Sequence, residues 1–513
     1  MKKTYYITTP IYYPSAEFHI GHCYTTIIAD AIARYKRLKG YDVFFQTGTD
    51  EHSKKIENKA ASVNLSPKAY VDDIVVKTKQ LWKDLDIYYD KFIRTTDEDH
   101  KKVVSKIFDK LYEQGDIYKG KYSGSYCTPC ESFWTQTQLI DGKCPDCNRE
   151  VSIVEEETYF FKLSKYQDRL IKHLDEHPDF IQPISRKNEM INNFIKPGLE
   201  DLCVTRTSFK WGVPVSFDPE HIIYVWLDAL TNYITSLGYE SDDDSKFKLY
   251  WPADLHLMAK EIVRFHVIIW PIVLMALGLE LPKKVFAHGW LTVDGKKISK
   301  SLNNYKNPTE YIDKYGIDAV RYFILKEVPL GNDGNFSEKA LITKTNADLA
   351  NNLGNLINRT ISMVYKYFDG IVPTPNDYLE IDQNLIDAAL NLPQKVDKKI
   401  NALKLGDAID EINDLIRKSN KYIDETTPWI LGREGDTARL KTVLYTLLES
   451  IRFAAVMYQP FLPRTATKIF EQLNIKENAI ESLVEFGGFK TGIQLNKPVP
   501  LFVRIEENEL DNI

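Results

Sequence analysis

Three groups of residues in this chain have the types and spacing to do chemistry. The first is His19-Ile20-Gly21-His22, a pattern that composition alone would produce only about 0.01 times in a chain of this kind. It sits where a β-branched and aromatic run, residues 5–9, gives way to helical periodicity. A helix N-terminus offers unsatisfied N–H groups and a partial positive charge, so it attracts phosphate. Two imidazoles there can donate to oxygens that gain charge during phosphoryl or nucleotidyl transfer, and Gly21 would let a nucleotide approach the backbone. The second group is Lys297-Ile298-Ser299-Lys300-Ser301, after Gly295-Lys296. Two lysines three apart among small hydroxyl residues make a cationic loop suited to pyrophosphate. Each motif alone also fits a plain surface reading, paired histidines in one case and a basic loop in the other. The third group is Cys127-Thr128-Pro129-Cys130 and Cys144-Pro145-Asp146-Cys147. Two such pairs at knuckle spacing point to four thiolates closing a tetrahedral zinc site with no open position, hence one structural Zn²⁺ per chain.

The elements that must position these groups follow from periodicity and breakers. Pro10 and Pro14 bracket residues 11–13 and exclude helix there. Apolar positions Ile20, Tyr24, Ile27, Ile28, Ala31, Ile32, Tyr35 and Leu38 then predict a helix that Gly40 ends, and residues 43–47 predict a second strand. Strand, helix, strand is one βαβ unit of a parallel sheet. Glycine and cysteine become dense from about residue 115, and helical periodicity fades until about Leu163. Strand and helix signals return at residues 222–225 and 262–277, and past about Lys339 the pattern is almost purely helical. The expected architecture is therefore α/β, a Rossmann-like parallel sheet split by a zinc-knuckle insertion and followed by an all-α bundle. Its segments are 1–115 (first catalytic half), 116–222 (insertion), 223–338 (second catalytic half with the lysine loop) and 339–513 (helical domain).

The bulk numbers bound the rest. The 513 residues carry 43% hydrophobic and 27% charged residues and a formal net charge of −6, which suits a globular protein of several domains rather than one coated in basic residues. The most apolar stretch, residues 267–281, contains Pro271 and is too short to span a bilayer. The N-terminus has no signal or transit pattern, and six sparse cysteines favour a reducing compartment. A cytoplasmic protein with no membrane partner is expected.

The two phosphate motifs in combination resemble the paired signatures of class I aminoacyl-tRNA synthetases. The segments Pro10-Ile11-Tyr12-Tyr13, Thr47-Gly48-Thr49-Asp50-Glu51-His52, Tyr224-Val225-Trp226-Leu227-Asp228-Ala229-Leu230-Thr231-Asn232-Tyr233 and Lys260-Glu261-Ile262-Val263-Arg264-Phe265-His266 narrow the resemblance to the methionyl-tRNA synthetase family, over essentially the whole chain. Residues Arg206 to Val215 resemble the return of that family's insertion to the core. The resemblance implies ATP-dependent ligation of methionine to initiator and elongator tRNAs through a methionyl-adenylate, with Mg²⁺ accompanying ATP. It implies that His19, Gly21, His22, Lys297, Ser299 and Lys300 hold ATP, with His19, His22, Lys297 and Lys300 the catalytic set. Ile11, Tyr13, Trp226, Ala229, Tyr233, Ile262 and His266 would line the methionine pocket, and Asp50 would hold the α-ammonium. Aromatic walls suit a thioether, although each aromatic taken singly also fits core packing. Asp50 has its own argument, since it ends a predicted parallel strand and ligands bind outside the carboxyl ends of such strands.

In the helical domain the resemblance makes Asn355, Arg359 and Trp429 readers of the CAU anticodon. The first two, four apart, also fit a helix-surface pair, and Trp429 after Pro428 also fits a buried plug. Two departures from the family pattern stand in the lysine loop: Ile298 in place of Met, and Asn303 where Gly is common. The chain ends soon after Leu501-Phe502-Val503-Arg504-Ile505-Glu506, so the family's C-terminal tRNA-binding appendix, and dimerisation through it, are not expected; a monomer is. Among rivals, the leucyl, isoleucyl and valyl enzymes carry a large editing domain for which residues 116–222 leave little room. A cysteinyl-type enzyme uses an open zinc, a non-catalytic RNA-binding paralogue would not need His19, His22, Lys297 and Lys300, and a small-molecule nucleotidylyltransferase needs no helical domain with Trp429.

Overall fold

The computed structural model describes residues 2–128, 130, 132–134, 139–145, 147–293, 295–298, 307–476 and 478–506. Ser299, Lys300, Ser301 and Asn303, and the side chain of Lys297, lie outside the described residues. The described chain divides into two compact units, Met1–Ala29 with Asp42–Trp290, and Asp30–Tyr41 with Leu291–Ile513.

In the first unit the apolar runs form strands of one parallel sheet. Thr4–Tyr12 and Asp42–Thr49 are buried along most of their length, as strands covered on both faces must be. The helix Ile20–Leu38 starts in the connection between them, and Gly40, at φ +78, ends it as predicted. The six strands run in the order Lys91–Arg94, Asp42–Thr49, Thr4–Tyr12, Leu255–Ala259, Val285–His288 and Ile181–Gln182, all parallel. The order reverses between Thr4–Tyr12 and Leu255–Ala259. That is a topological switch point, and a crevice outside the carboxyl ends of those strands follows from it. A Cβ on Gly48 would lie 2.0 Å from Ile93 O, so the close approach of Asp42–Thr49 to Lys91–Arg94 requires glycine there.

The inserted stretch builds its own antiparallel sheet of Ser132–Trp134, Ile117–Cys127, Ser152–Phe161 and Leu202–Cys203. It does not pack apart from the parallel sheet. Ile181–Gln182 joins that sheet at its edge, and Phe161, Leu163, Leu170 and Phe180 belong to the same apolar cluster as Trp226, Phe265 and Val285.

In the second unit a small sheet places Lys296–Lys297 antiparallel to Leu291–Val293, which pairs in parallel with Gly334–Phe336. The rest is the predicted helical region. Glu380–Asn401 turns Leu385, Ile386, Ala389, Leu392, Val396 and Ile400 inward at helical spacing. It packs on Leu405–Thr426, and both pack on Thr437–Tyr458, which is buried from Thr442 to Tyr458. Buried Arg321 is held by Asp30 Oδ2 at 2.7 Å and Phe461 O at 3.0 Å. The expectation of almost pure helix fails after Leu473. From there the described chain is mostly irregular, with one short 3₁₀ turn at Ile480–Leu483. Gly487 and Gly492 adopt positive φ, and Pro498 and Pro500 cannot continue a helical ladder. No helix among the described residues is long and apolar enough to cross a membrane.

Candidate functional site

The first strand and the helix after it bring His19 and His22 together, with ring centroids 4.1 Å apart. His22 stacks on Phe18 at 4.5 Å and meets the edge of Tyr12. The sequence reading expected the bare amides of the helix start to face a phosphate. The structure uses some of them internally. The Gly21 N–H donates to His19 Nδ1, and the His19 N–H donates to His22 Nδ1, each at 3.1 Å. Burial pushes the His19 imidazolium down to about 4 and holds that of His22 well below its usual range, so both rings are neutral near pH 7. With both Nδ1 atoms accepting, the proton of each ring sits on Nε2. What the helix start offers is thus a pair of preoriented N–H donors, each still partly accessible to solvent.

The helix is also keyed to the far half of the sheet. Thr25 Oγ1 lies 2.7 Å from His288 Nε2, while His288 Nδ1 donates to Gly289 O at 2.7 Å, so the Thr25 hydroxyl is the donor of that pair. Burial holds the His288 imidazolium at about 4, which keeps this arrangement at neutral pH.

The loop after Asp42–Thr49 carries Asp50, 2% exposed, whose N–H donates to Tyr12 O at 2.9 Å. Its neighbour Glu51 is fully buried and paired with Arg94 through two hydrogen bonds of 2.7 and 2.9 Å; Thr49 and Thr96 donate to it, and its own N–H donates to Thr95 Oγ1. Removing one partner of a buried pair leaves an uncompensated charge. Glu51 therefore fixes the loop that carries Asp50.

The helix Val225–Leu230, the short helix Asn232–Thr235 and the turns after Leu255–Ala259 bring several aromatic rings together. Trp226 lies flat on Phe265, centroids 3.6 Å apart and 6° from parallel. His266 sits in a wide π-helical turn, Phe265–Ile269, and meets the edge of Trp226. Its Nδ1 donates to Ile262 O at 2.9 Å, so Tyr233 donates its hydroxyl to Nε2 at 2.7 Å. Burial lowers the His266 imidazolium to about 4, so the ring is uncharged. Tyr13 and Ile262 pack against the apolar cluster that contains Trp226 and Tyr233. Ala229 lies on the Trp226 helix, and Ile11 pairs in register with Gly48. The candidate methionine-pocket residues named from the sequence thus all belong to the first unit, Ile11 near the end of the first strand and the others on loops, turns or short helices.

The four cysteines converge. Their sulfurs lie within 4.8 Å of one another, with Cys127–Cys147 at 3.5 Å and Cys130–Cys144 at 4.0 Å. These distances are too long for disulfide bonds. They straddle the edge of roughly 3.8 Å that metal–sulfur bonds of about 2.3 Å give a tetrahedron. The residues fit a closed four-thiolate metal site.

In the second unit, Lys297 is the second residue of a two-residue strand, where its main chain pairs with Thr292. Gly295, at φ +75, makes the preceding turn, and its N–H donates to Asn335 Oδ1 at 2.7 Å. On the helical bundle Arg359 lies 5.9 Å from the Trp429 ring and 3.4 Å from Asp424, and Asn355 is exposed one turn before it. Trp429 is 42% exposed, so it is no buried plug.

The sequence reading missed several residues of this region. Glu51, His52 and Asp228 stood inside motifs it quoted, but their partners lie far away in sequence: His52 with Asp228 and Glu51 with Arg94. Phe265, the flat partner of Trp226, carries no local signal that separates it from a core aromatic. His256, buried with Nδ1 2.7 Å from Thr8 Oγ1 and its ring 4.2 Å from Tyr233, had no local signal at all.

Comparison with known proteins agrees with this geometry. Residues 5–152 and 148–361 match the family model for class I tRNA synthetases (M), and residues 372–513 match that for the anticodon binding domain of methionyl tRNA ligase. The methionine–tRNA ligase of Caldanaerobacter subterraneus subsp. tengcongensis is 60% identical over 517 residues, covering 100% of this chain and 81% of that protein. The methionine–tRNA ligase of Clostridium acetobutylicum is 59% identical, covering 98% of this chain and 79% of that one. The structure of Mycobacterium tuberculosis methionyl-tRNA synthetase in complex with methionyl-adenylate superimposes with a TM-score of 0.94 at 42% identity, covering 98% of this chain and 99% of that one.

Proposed function

Because the chain belongs to the methionyl-tRNA synthetase family and is a class I methionine–tRNA ligase, we propose roles in that reaction for the residues assembled above. The enzyme joins methionine to tRNA through a methionyl-adenylate. In the first step the methionine carboxylate attacks the α-phosphorus of ATP and pyrophosphate leaves. A carboxylate is ionised at pH 7, so no general base is required, and catalysis rests on positioning and on stabilising charge. His19 and His22 donate from Nε2 to the reacting phosphates, and Gly21 gives the nucleotide access to the backbone. Lys297, Ser299 and Lys300 take the pyrophosphate side, as their motif suggests. Asp50 accepts from the α-ammonium, while Ile11, Tyr13, Trp226, Ala229, Tyr233, Ile262 and His266 surround the side chain. In the second step the 2′-hydroxyl of the tRNA's terminal adenosine attacks the activated carbonyl and AMP leaves. Asn355, Arg359 and Trp429 read the anticodon of both initiator and elongator tRNAs.

Two observations support this reading: Asp50 lies in the loop after Asp42–Thr49, and the Trp226–Tyr233–His266 wall includes His266, which follows Leu255–Ala259 beside the switch point. An apolar pocket with neutral aromatic and imidazole walls suits a thioether, and one buried carboxylate at its edge suits an ammonium. We place the enzyme in a reducing compartment, the cytoplasm, because the thiolate site needs reduced cysteines. It acts as a monomer in this reading. The division into segments 1–115, 116–222, 223–338 and 339–513 is kept as a functional one.

The test is ATP–pyrophosphate exchange with each of the twenty amino acids. Methionine alone should support exchange at micromolar to millimolar concentration, and equal exchange with leucine or isoleucine would overturn the assignment of the pocket. In the same assay Lys300→Ala should slow adenylate formation at least 100-fold with little change in methionine binding; near-normal exchange would remove Lys300 from the reaction. Mg²⁺ enters with the nucleotide, whose phosphates bind it.

The four thiolates should hold one Zn²⁺ per chain, which stiffens the inserted module rather than reacting, because a closed shell leaves no position for substrate. Purified protein should release one equivalent of zinc to a chelator. Cys130→Ala should lower that content below half an equivalent and reduce the thermal midpoint. Full zinc content in that variant would show that the metal is held elsewhere.

A further inference from the structure

One fully buried carboxylate joins three elements of the amino-acid site. Asp228, on the helix that carries Trp226 and Ala229, lies with Oδ2 2.7 Å from His52 Nδ1 and Oδ1 2.8 Å from His100 Nε2. His100, on the helix Glu98–Glu113, is backed in turn by Thr235 Oγ1 at 2.8 Å from its Nδ1. His52 is two residues beyond Asp50 in the same loop, and its ring meets the edge of Trp211, whose Nε1–H donates to Glu51 O at 2.5 Å. The side chains of His52, His100 and Asp228 are 5%, 0% and 1% exposed, so water does not compete for these bonds.

We propose that Asp228 is a positioning residue for methionine activation: through His52 it ties the loop that presents Asp50 to the helix that presents Trp226 and Ala229, and so sets the spacing between the ammonium end and the thioether end of the amino-acid site. The proposal rests on the assignment of that site given above. A carboxylate is suited to the task because it accepts from two N–H groups at once, and two charge-assisted bonds are stronger than neutral ones. It is ionised throughout the working pH range. Burial would push the Asp228 carboxyl up, but electrostatic attraction to the neighbouring His52 and the hydrogen bonds from both imidazoles outweigh it and hold it down at about 2. An amide of the same shape fails here, because it turns one acceptor into a donor that must face an imidazole N–H unless that ring moves its proton. A ligand whose two ends are read by separate elements loses affinity when their spacing relaxes, since it must then hold both in place.

The experiment is a double-mutant cycle in the full chain with Asp228→Asn, His52→Gln and the pair, read by pyrophosphate exchange. Glutamine reaches toward the outer ring nitrogen of His52 and abandons the Nδ1 contact. Each single variant should raise the methionine KM about tenfold and leave the ATP KM within twofold. The double variant should be no worse than either single one, because both break the same link. A product of the two single effects in the double variant, or equal rises in both KM values, overturns the positioning role. If Asp228→Asn does not fold, His52→Gln still decides: an unchanged methionine KM there overturns the proposal. Asp50→Asn, run alongside, separates this idea from the site assignment. An unchanged methionine KM in Asp50→Asn sinks the assignment. A raised KM in Asp50→Asn with unchanged values in the other variants sinks the positioning role alone.

Discussion

Replacing His22 by alanine is expected to lower methionine-dependent pyrophosphate exchange by about 100- to 1,000-fold. The expectation follows from the state of the ring. His22 is neutral, because burial pushes its imidazolium far down, and its Nδ1 is occupied by the His19 N–H. The N–H at Nε2 is therefore fixed in direction before any nucleotide arrives, and it costs no reorganisation when negative charge develops on the phosphate oxygens. A preorganised donor of this kind is worth about 3–4 kcal/mol in a transition state. The loss should fall on kcat more than on the ATP KM, because the charge it meets is larger in the transition state than in bound ATP. Glutamine at this position can present an amide N–H near the site of Nε2, so His22→Gln should recover part of the rate. An alanine variant that folds normally and exchanges within threefold of the wild type would remove His22 from the chemistry. The stacking of Phe18 on His22 makes a thermal melt a necessary control.

Replacing Trp429 by alanine should separate the two half-reactions. Exchange needs no tRNA and should stay within twofold of wild type, whereas kcat/KM for tRNA charging should fall about 10- to 100-fold, which corresponds to the loss of one base–aromatic stack of about 1–3 kcal/mol. Trp429 offers a 42% exposed ring, with the Arg359 guanidinium 5.9 Å from its centre and Asn355 one turn further along the same helix face. A flat apolar surface flanked by a cation and an amide can stack an unpaired base and hydrogen-bond its edge. Arg359 is restrained by Asp424 only at 3.4 Å on an exposed surface, a weak pair that a nucleotide can replace. Trp429→Phe should retain part of the charging activity. Equal losses in exchange and charging would show that Trp429 supports folding rather than anticodon reading.

The parts of this enzyme that local spacing specifies were legible early. Four cysteines in two tight pairs can close a tetrahedron because each pair already places two sulfurs on one turn, and the structure brings the pairs together. Prolines around residues 11–13, the helical stripe from Ile20 to Leu38 and Gly40 each act within a few residues, so the first βαβ unit followed from them. The pocket residues came from resemblance rather than from periodicity, since a buried aromatic that lines a ligand and one that fills a core have the same local pattern.

What could not be read was whatever depends on residues distant in the chain. The parallel order that puts Leu255–Ala259 beside Thr4–Tyr12, and the entry of Ile181–Gln182 into that sheet, are set by which apolar faces pack together, and no single segment records its neighbour. The protonation of His19 and His22 likewise depends on burial and on backbone donors placed by the folded helix start. The clearest case lies around Asp50. Asp50, His52 and Asp228 all stood in motifs whose family likeness was visible, yet 176 residues separate His52 from Asp228, and a buried carboxylate has no sequence signature that names its partners. The chain's local chemistry thus named the candidate residues. Their mutual geometry came from long-range packing, because burial makes a polar group choose a partner and folding brings that partner within reach.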